Sequence, residues 1–446
     1  MSVAATRTKA EQALTANFEA VFARLPGGHA IAEARKAAIG RFASLGLPHR
    51  RIEEWKYTDL RVALREALPP ALGNGAAARP QEIDAALGEL AALDAHRIVF
   101  VNGGHRADLS AIAVARGLEV VTLAQALATS ADRAGSSLTR GAAAQEAMVA
   151  LNTAFMTDGA IVRIARGARI DKPLLVVFAR AGTEARFVTT RNIIEVGEGA
   201  RATIIEAHVA LAGAAQGQTN ALSEIAVGDG AHLTHVQCAL AGTAASHIST
   251  WVATLGQDAA YRAFQLTAAT ALARNNLLVT FEGEGAKLDI SGCFLGRGAE
   301  HIDTTLVVDH AVPGCESREL FKGVLADRAR GVFQGKVIVR PDAQKTDGKQ
   351  MAQVLMLSED AEFDSKPELE IYADDVVCGH GSTAAEIDPD LLFYLRSRGI
   401  AQTQARTMLI ESFIGEAIDK IEDERLREAL AGLALSRLGP LLSAKL

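Results

Sequence analysis

Cys378 and His380 stand two positions apart in the run DDVVCGHGST, residues 374–383. The preceding Val376 and Val377 suggest a strand entering this run, and in a strand residues i and i+2 share a face. A thiolate and an imidazole so placed could share a soft metal or a sulfur-bearing intermediate. Two ligands do not complete a tetrahedral site, so further ligands must come from elsewhere or from another chain. Taken alone, the pair reads more readily as a turn histidine beside a buried cysteine.

Other candidate residues are weaker. Cys238, Cys293 and Cys315 lie far from Cys378 and from one another, with no C-x-x-C pair. That spacing excludes a self-contained ferredoxin-type cluster, and each reads as a small buried hydrophobe. His232 and His235, three apart, face opposite sides of a strand. His208, His247, His301 and His310 stand singly, as satisfied surface or rung residues. Asp347-Gly348-Lys349 lacks the Gly-rich loop of a Walker sequence, and nothing resembles a Ser-His-Asp set.

The element that must position Cys378 and His380 belongs to a long middle region, residues 153–385. It is a succession of short β-prone runs broken by Gly. Val196-Gly197-Glu198-Gly199-Ala200 recurs as Val227-Gly228-Asp229-Gly230-Ala231, and weaker echoes end at Ala168, Ala259 and Ala286. These alanines are 32, 31, 28 and 27 positions apart. Repeats of this length without helical periodicity predict a β-solenoid whose corners need glycine. The spacing is too irregular for a hexapeptide helix, which favours a right-handed parallel β-helix over a β-sandwich with coincidental Gly-Ala turns. Its strands are expected to turn Ile, Val and Leu inward and Glu, Arg and Thr outward, as in Ile193–Glu206.

Mixed, mostly helical segments flank this core. Residues 1–152 carry helical periodicity over Glu11–Leu25 and Ile31–Leu45, the charged run RRIEEWKYTDL (50–60), a surface connection NGAAARP (74–80) and a strand at Arg97–Val101. A helix over Ala143–Phe155 leads out. In residues 386–446, Asp388 caps a helix with Pro389 at its first position, and Gly399 ends it. A second helix, 402–421, has an apolar side that Ile410 and Ile414 widen beyond one packing partner. With Met408 these residues form either a cap for the solenoid end or a docking surface for another subunit.

Composition narrows the class of function. A net charge of -7 argues against nucleic acid as the main partner. No run approaches the length of a membrane span. The start of the chain is amphipathic rather than signal-like, which places the chain in the cytoplasm. The residues offer no complete catalytic set, so a non-catalytic role is expected. A polysaccharide-acting β-helix enzyme is the rival class, disfavoured by the missing signal and by Asp residues that sit mainly at corners.

Three phrases occur in order: SRELFKGVLADRARGVFQGKVIVRPDAQKTDGKQ, LMLSEDAEFDSKPELEIYADDVVCGHGST and DPDLLFYLRSRGI. Together they resemble the SufB/SufD family of iron–sulfur cluster assembly proteins, and RRIEEWKYTDL resembles its SufD branch. The resemblance covers essentially the whole chain and is weakest between Pro69 and Gln145. It implies a right-handed parallel β-helix between helical domains and a scaffold role in a cytosolic complex. It further implies pairing with SufB through the β-helix and with the SufC ATPase through the C-terminal helices, where Met408, Ile410 and Ile414 lie. Cys378 and His380 would sit at the SufB–SufD interface, with His380 a metal ligand shared with the partner. The isolated chain would bind no cofactor stably, and a cluster would be held transiently in the complex. Flavin binding and a homodimer, with a storage or SufC-buffering role, stay open.

Overall fold

The computed structural model describes residues 7–73, 77–129 and 143–442. Part of the expected surface connection, residues 74–76, and the first six residues lie outside them. The chain opens with α1 (Lys9–Val21), capped by Thr8, whose hydroxyl accepts from Glu11 N while Glu11 Oε2 accepts from Thr8 N. There follow α2 (Gly28–Leu45), α3 (Leu60–Ala63), α4 (Pro80–Leu87), α5 (Leu123–Thr129) and α6 (Ala147–Phe155). Three helices close the chain: α7 (Pro389–Ser397), α8 (Gln402–Ile418) and α9 (Glu424–Leu442). Asp388 caps α7, accepting from Asp390 N and Leu391 N, with Pro389 at the first position as its sequence predicts.

Between the helices lie two long sheets. The first contains β3 (Leu118–Thr122), β4 (Ala160–Ile164), β6 (Arg186–Val196), β8 (Gly217–Val227), β10 (Gly242–Leu255), β12 (Thr270–Phe281), β14 (His301–His310), β16 (Arg330–Val339) and β18 (Glu362–Ile371). The second contains β1 (His96–Val101), β2 (Gly104–His105), β5 (Leu174–Arg180), β7 (Arg201–Ala210), β9 (His232–Leu240) and β11 (Ala260–Ala268). It continues through β13 (Lys287–Gly296), β15 (Glu316–Leu325), β17 (Asp347–Met356) and β19 (Val377–Ala385). From β4 onward successive strands alternate between the sheets, and every pair formed among them is parallel. This is a parallel β-solenoid, and it removes the sandwich, whose sheets are antiparallel. Among the described residues antiparallel pairing is confined to the N-terminal end, where β2 pairs with β1, β3 with β4, and Arg97 bridges Ala111.

The repeated Gly-Ala corners are the turns from the first sheet into the second. Gly167, Gly199, Gly230, Asp258, Gly285 and Gly314 adopt φ between 53° and 73°. The next residue is small and faces the lumen: Ala200, Ala231, Ala259, Ala286 and Cys315 are all fully buried. The residues after them stack in register from Arg201 through His232, Ala260 and Lys287 to Glu316. Cys315 is thus the alanine of its coil, which explains a cysteine there.

The inward and outward sets differ from the simple alternation expected. One apolar cluster fills the lumen, including Ile204, Trp251, Leu277 and Phe333. A second lies on the outer face of the second sheet, where Ile205, Val236, Phe264 and Leu266 join one cluster with residues of α4, α8 and α9. Ile205 therefore points outward and Glu206 inward, the reverse of the expected sides. A third cluster joins α1, α2 and α6 to Phe187, Ile248 and Leu272 of the first sheet.

Candidate functional site

β19 is the edge of the second sheet and hydrogen-bonds only to β17, with Cys378 beside Gly348 and His380 beside Gln350. The strand does persist through both residues, so they share its lumen-facing side. Cys378 packs against Val337, Val339, Ala343 and Ala373 and is half-buried, whereas His380 is exposed at the open end of the solenoid. Burial raises the Cys378 thiol pKa, Asp347 and Glu319 add to the rise, and the Gly348 backbone opposes it. Among the described residues no group of three or more His, Cys, Asp or Glu is placed to hold a metal ion. What this face offers is one imidazole and one partly shielded thiol beside an unpaired strand edge.

The C-terminal helices place the other predicted residues differently. Ile410 and Ile414 are buried against the second sheet, so they do not form an exposed docking stripe in the free chain. The Ile414 carbonyl accepts from Cys293 Sγ at 3.6 Å, the Ala417 carbonyl accepts from Ser291 Oγ at 3.0 Å, and Lys322 pairs with Glu416 at 2.6 Å. The reason is the apolar outer face of the second sheet, on which α8 packs at β13 and β15, where simple alternation predicts a polar one. Met408 alone of the three is exposed. The apolar surface of this region lies instead on α7, where Leu391, Phe393 and Tyr394 are 52, 74 and 54% exposed.

The run RRIEEWKYTDL is a strap across the outer face of the first sheet. Trp55 is buried beneath the Arg274 guanidinium, 4.3 Å from its ring centre, and Arg274 pairs with Asp303. The Glu54 carbonyl accepts from Arg274 Nη2 and Gln334 Nε2, Thr58 bonds to Asp303 and His301, and Lys366 of the edge strand β18 pairs with Glu53. The motif thereby ties the N-terminal segment to the last coil that carries the site.

The histidines read as single residues are in part a cluster. His235 Nε2 lies 3.0 Å from Glu206 Oε1, His208 Nε2 lies 3.7 Å from Oε2, and the His208 and His247 rings are 4.7 Å apart. Ser223 donates to Glu206, and Tyr261 bonds His235. Burial opposes ionisation of Glu206, but hydrogen bonds and charge from both histidines hold its carboxyl below the usual range. The signal that could have found this cluster is inward parity combined with repeat register, since His235 pairs beside Ile204 and Gln237 beside Glu206. His232 is exposed and His235 buried, as their spacing implied.

Two family models match the chain in succession: the SufBD protein N-terminal region over residues 9–176, and the SUF system FeS cluster assembly SufBD core domain over 178–413. The iron–sulfur cluster assembly protein SufD of Escherichia coli is 34% identical over 397 residues, covering 88% of this chain and 89% of that protein. An iron–sulfur cluster assembly SufBD family protein of Synechocystis is 31% identical, covering 87% of this chain and 86% of its own. SufD of Bacillus subtilis is 25% identical over 64% of this chain and 65% of that protein. Fold and site together define a helix-flanked parallel β-solenoid with a Cys-x-His edge. The chain belongs to the SufBD family of iron–sulfur cluster assembly proteins.

Proposed function

We propose that the chain is a non-catalytic scaffold subunit of the SUF assembly complex, pairing with SufB through the solenoid and with the SufC ATPase through the C-terminal helices. The observation that carries this reading is the last coil. β18 and β19 are sheet edges with unpaired backbone groups, a ready template for strands of another chain. The second of them presents Cys378 and His380 on one face, which a partner must complete to hold iron or sulfide. The nascent cluster is cargo held transiently between subunits, and ATP hydrolysis belongs to the partner. A cytoplasmic setting suits this role. No described helix is long and apolar enough to cross a membrane.

His380 carries more weight than Cys378, because imidazole binds iron well while the half-buried thiol is held back from ionising. The test is His380→Ala, co-expressed with SufB and SufC and purified anaerobically. The three-chain complex should stay intact, since one residue seldom decides a large interface, while iron and sulfide per complex fall several-fold. Unchanged cluster content would remove His380 from the mechanism, and loss of the complex would make its role structural.

A further inference from the structure

The two sheet edges of the last coil are not equivalent. In a parallel ladder a residue turns its N–H and C=O to the same neighbouring strand, and the next residue turns both the other way. At the two ends of β18, Glu362 N donates to Ala329 O and Tyr372 N donates to Val339 O. The register with β16 is unbroken between them, so the even-numbered residues of β18 face β16. Phe363, Ser365, Pro367, Leu369 and Ile371 therefore turn their backbone groups to the free edge. Proline has no N–H, so the middle donor of that edge is missing and a ring carbon stands in its place. The donors that remain form two separate pairs.

The edge of β19 is continuous. Val377 N donates to Thr346 O, and the register with β17 is unbroken, so the odd-numbered residues face β17. Cys378, His380, Ser382 and Ala384 turn N–H and C=O outward in one uninterrupted row. The outer faces of the two strands differ in the same sense. β18 carries Asp364, Lys366, Glu368 and Glu370, engaged with Arg330, Glu53 and Lys336 around it. β19 carries Val377, Gly379, Gly381 and Thr383, none of them charged. Val377 is 61% exposed, and a Cβ on Gly379 would meet nothing within 4 Å, so this side is open. Exposed edges are kept from pairing by charged side chains and by proline on the strand. β18 has both devices and β19 has neither.

We propose that one strand of the partner chain adds to β19, in ladder with Cys378, His380, Ser382 and Ala384, and that Pro367 bars strand addition along β18. The partner meets β18 through side chains only. This rests on the reading that a partner chain closes the last coil, and adds which edge takes its backbone and which residue refuses it. The consequence falls on the site itself. Cys378 and His380 lie on the strand that pairs, so the ladder fixes their register against the groups the partner supplies. A slip of one residue would turn those groups to the other face. Barring β18 leaves a single strand to set that register.

The experiment is hydrogen–deuterium exchange read at single residues by mass spectrometry, on the full chain alone and in the complex co-purified with SufB and SufC. Exchange at Cys378, His380, Ser382 and Ala384 should slow at least about tenfold in the complex, because paired amides exchange only when the ladder opens. Rates at Phe363, Ser365, Leu369 and Ile371 should stay within about twofold of the free chain. Equal slowing on both edges, or slowing on β18 alone, overturns the assignment. A second arm needs no partner. Pro367→Ala restores the missing donor, so the isolated variant should sediment as larger species than the unsubstituted chain at the same concentration, with an unchanged circular dichroism spectrum. Unchanged mass overturns the block at β18. Failure of SufB to bind at all would count against the proposed function, and the Pro367→Ala arm would still decide the role of Pro367.

Discussion

Cys378 differs from the other cysteines in what closes over it. Burial pushes the Cys238 and Cys293 thiols up to about 12, and Cys315 is sealed in a corner rung. Cys378 lies on the last strand, where no further coil covers it. Burial raises its thiol pKa too, so it is access rather than ionisation that singles Cys378 out. Brief treatment of the native chain with iodoacetamide at pH 8 should add one label, on Cys378, while the denatured chain takes four. Intact-mass and peptide spectrometry read both numbers; a second native label would mean that a solenoid rung opens. At this scale the sequence was informative because strand parity alone puts Cys378 and His380 on one face. Glu319 and Gln350 were not legible, because a lone Glu or Gln in a strand gives no sign of its neighbour one coil away.

The corners show the same limit at the scale of elements. Their Gly-Ala pattern exposed the solenoid, but the glycines do two different jobs that look alike in sequence. Gly298 has φ +60° and open space around it, so an added methyl meets only backbone strain. That costs about 1 kcal/mol. Gly283 is held by crowding instead: a Cβ there would lie 1.9 Å from the Gln257 backbone nitrogen. Relief requires one coil to move off the next, breaking pairs such as Glu282 N to Leu255 O. Gly283→Ala should therefore lower the melting temperature clearly more than Gly298→Ala, as read by circular dichroism at matched pH. Equal losses would show that the coils slide apart more easily than their register suggests. The strap at 50–60 was legible only as a family mark, since the partners of Trp55 and Thr58 lie more than two hundred residues away.

Across the whole molecule, the C-terminal helices are a side wall of the solenoid and leave its last coil open. The sequence left a choice between capping and docking because α8 is apolar on more than one side. The structure assigns Ile410 and Ile414 to the wall, where burial of each contributes roughly 1.5–3 kcal/mol. It leaves Leu391, Phe393 and Tyr394 of α7 exposed, and the proposed docking of the ATPase subunit is tested there. The two regions separate experimentally. A chain ending at Asp388 bares Val236, Phe264 and Leu266, so it should melt at much lower temperature or lose cooperative unfolding. Its failure to bind the ATPase would then say little about docking. Phe393→Ala with Tyr394→Ala removes exposed rings whose loss costs the free fold little, and it should keep the native melting temperature. The same double variant should retain several-fold less SufC in a pull-down from the co-expressed subunits, because aromatic anchors carry a disproportionate share of interface energy. Undiminished capture would move the docking surface off α7, and the exposed Met408 would be the next residue to test.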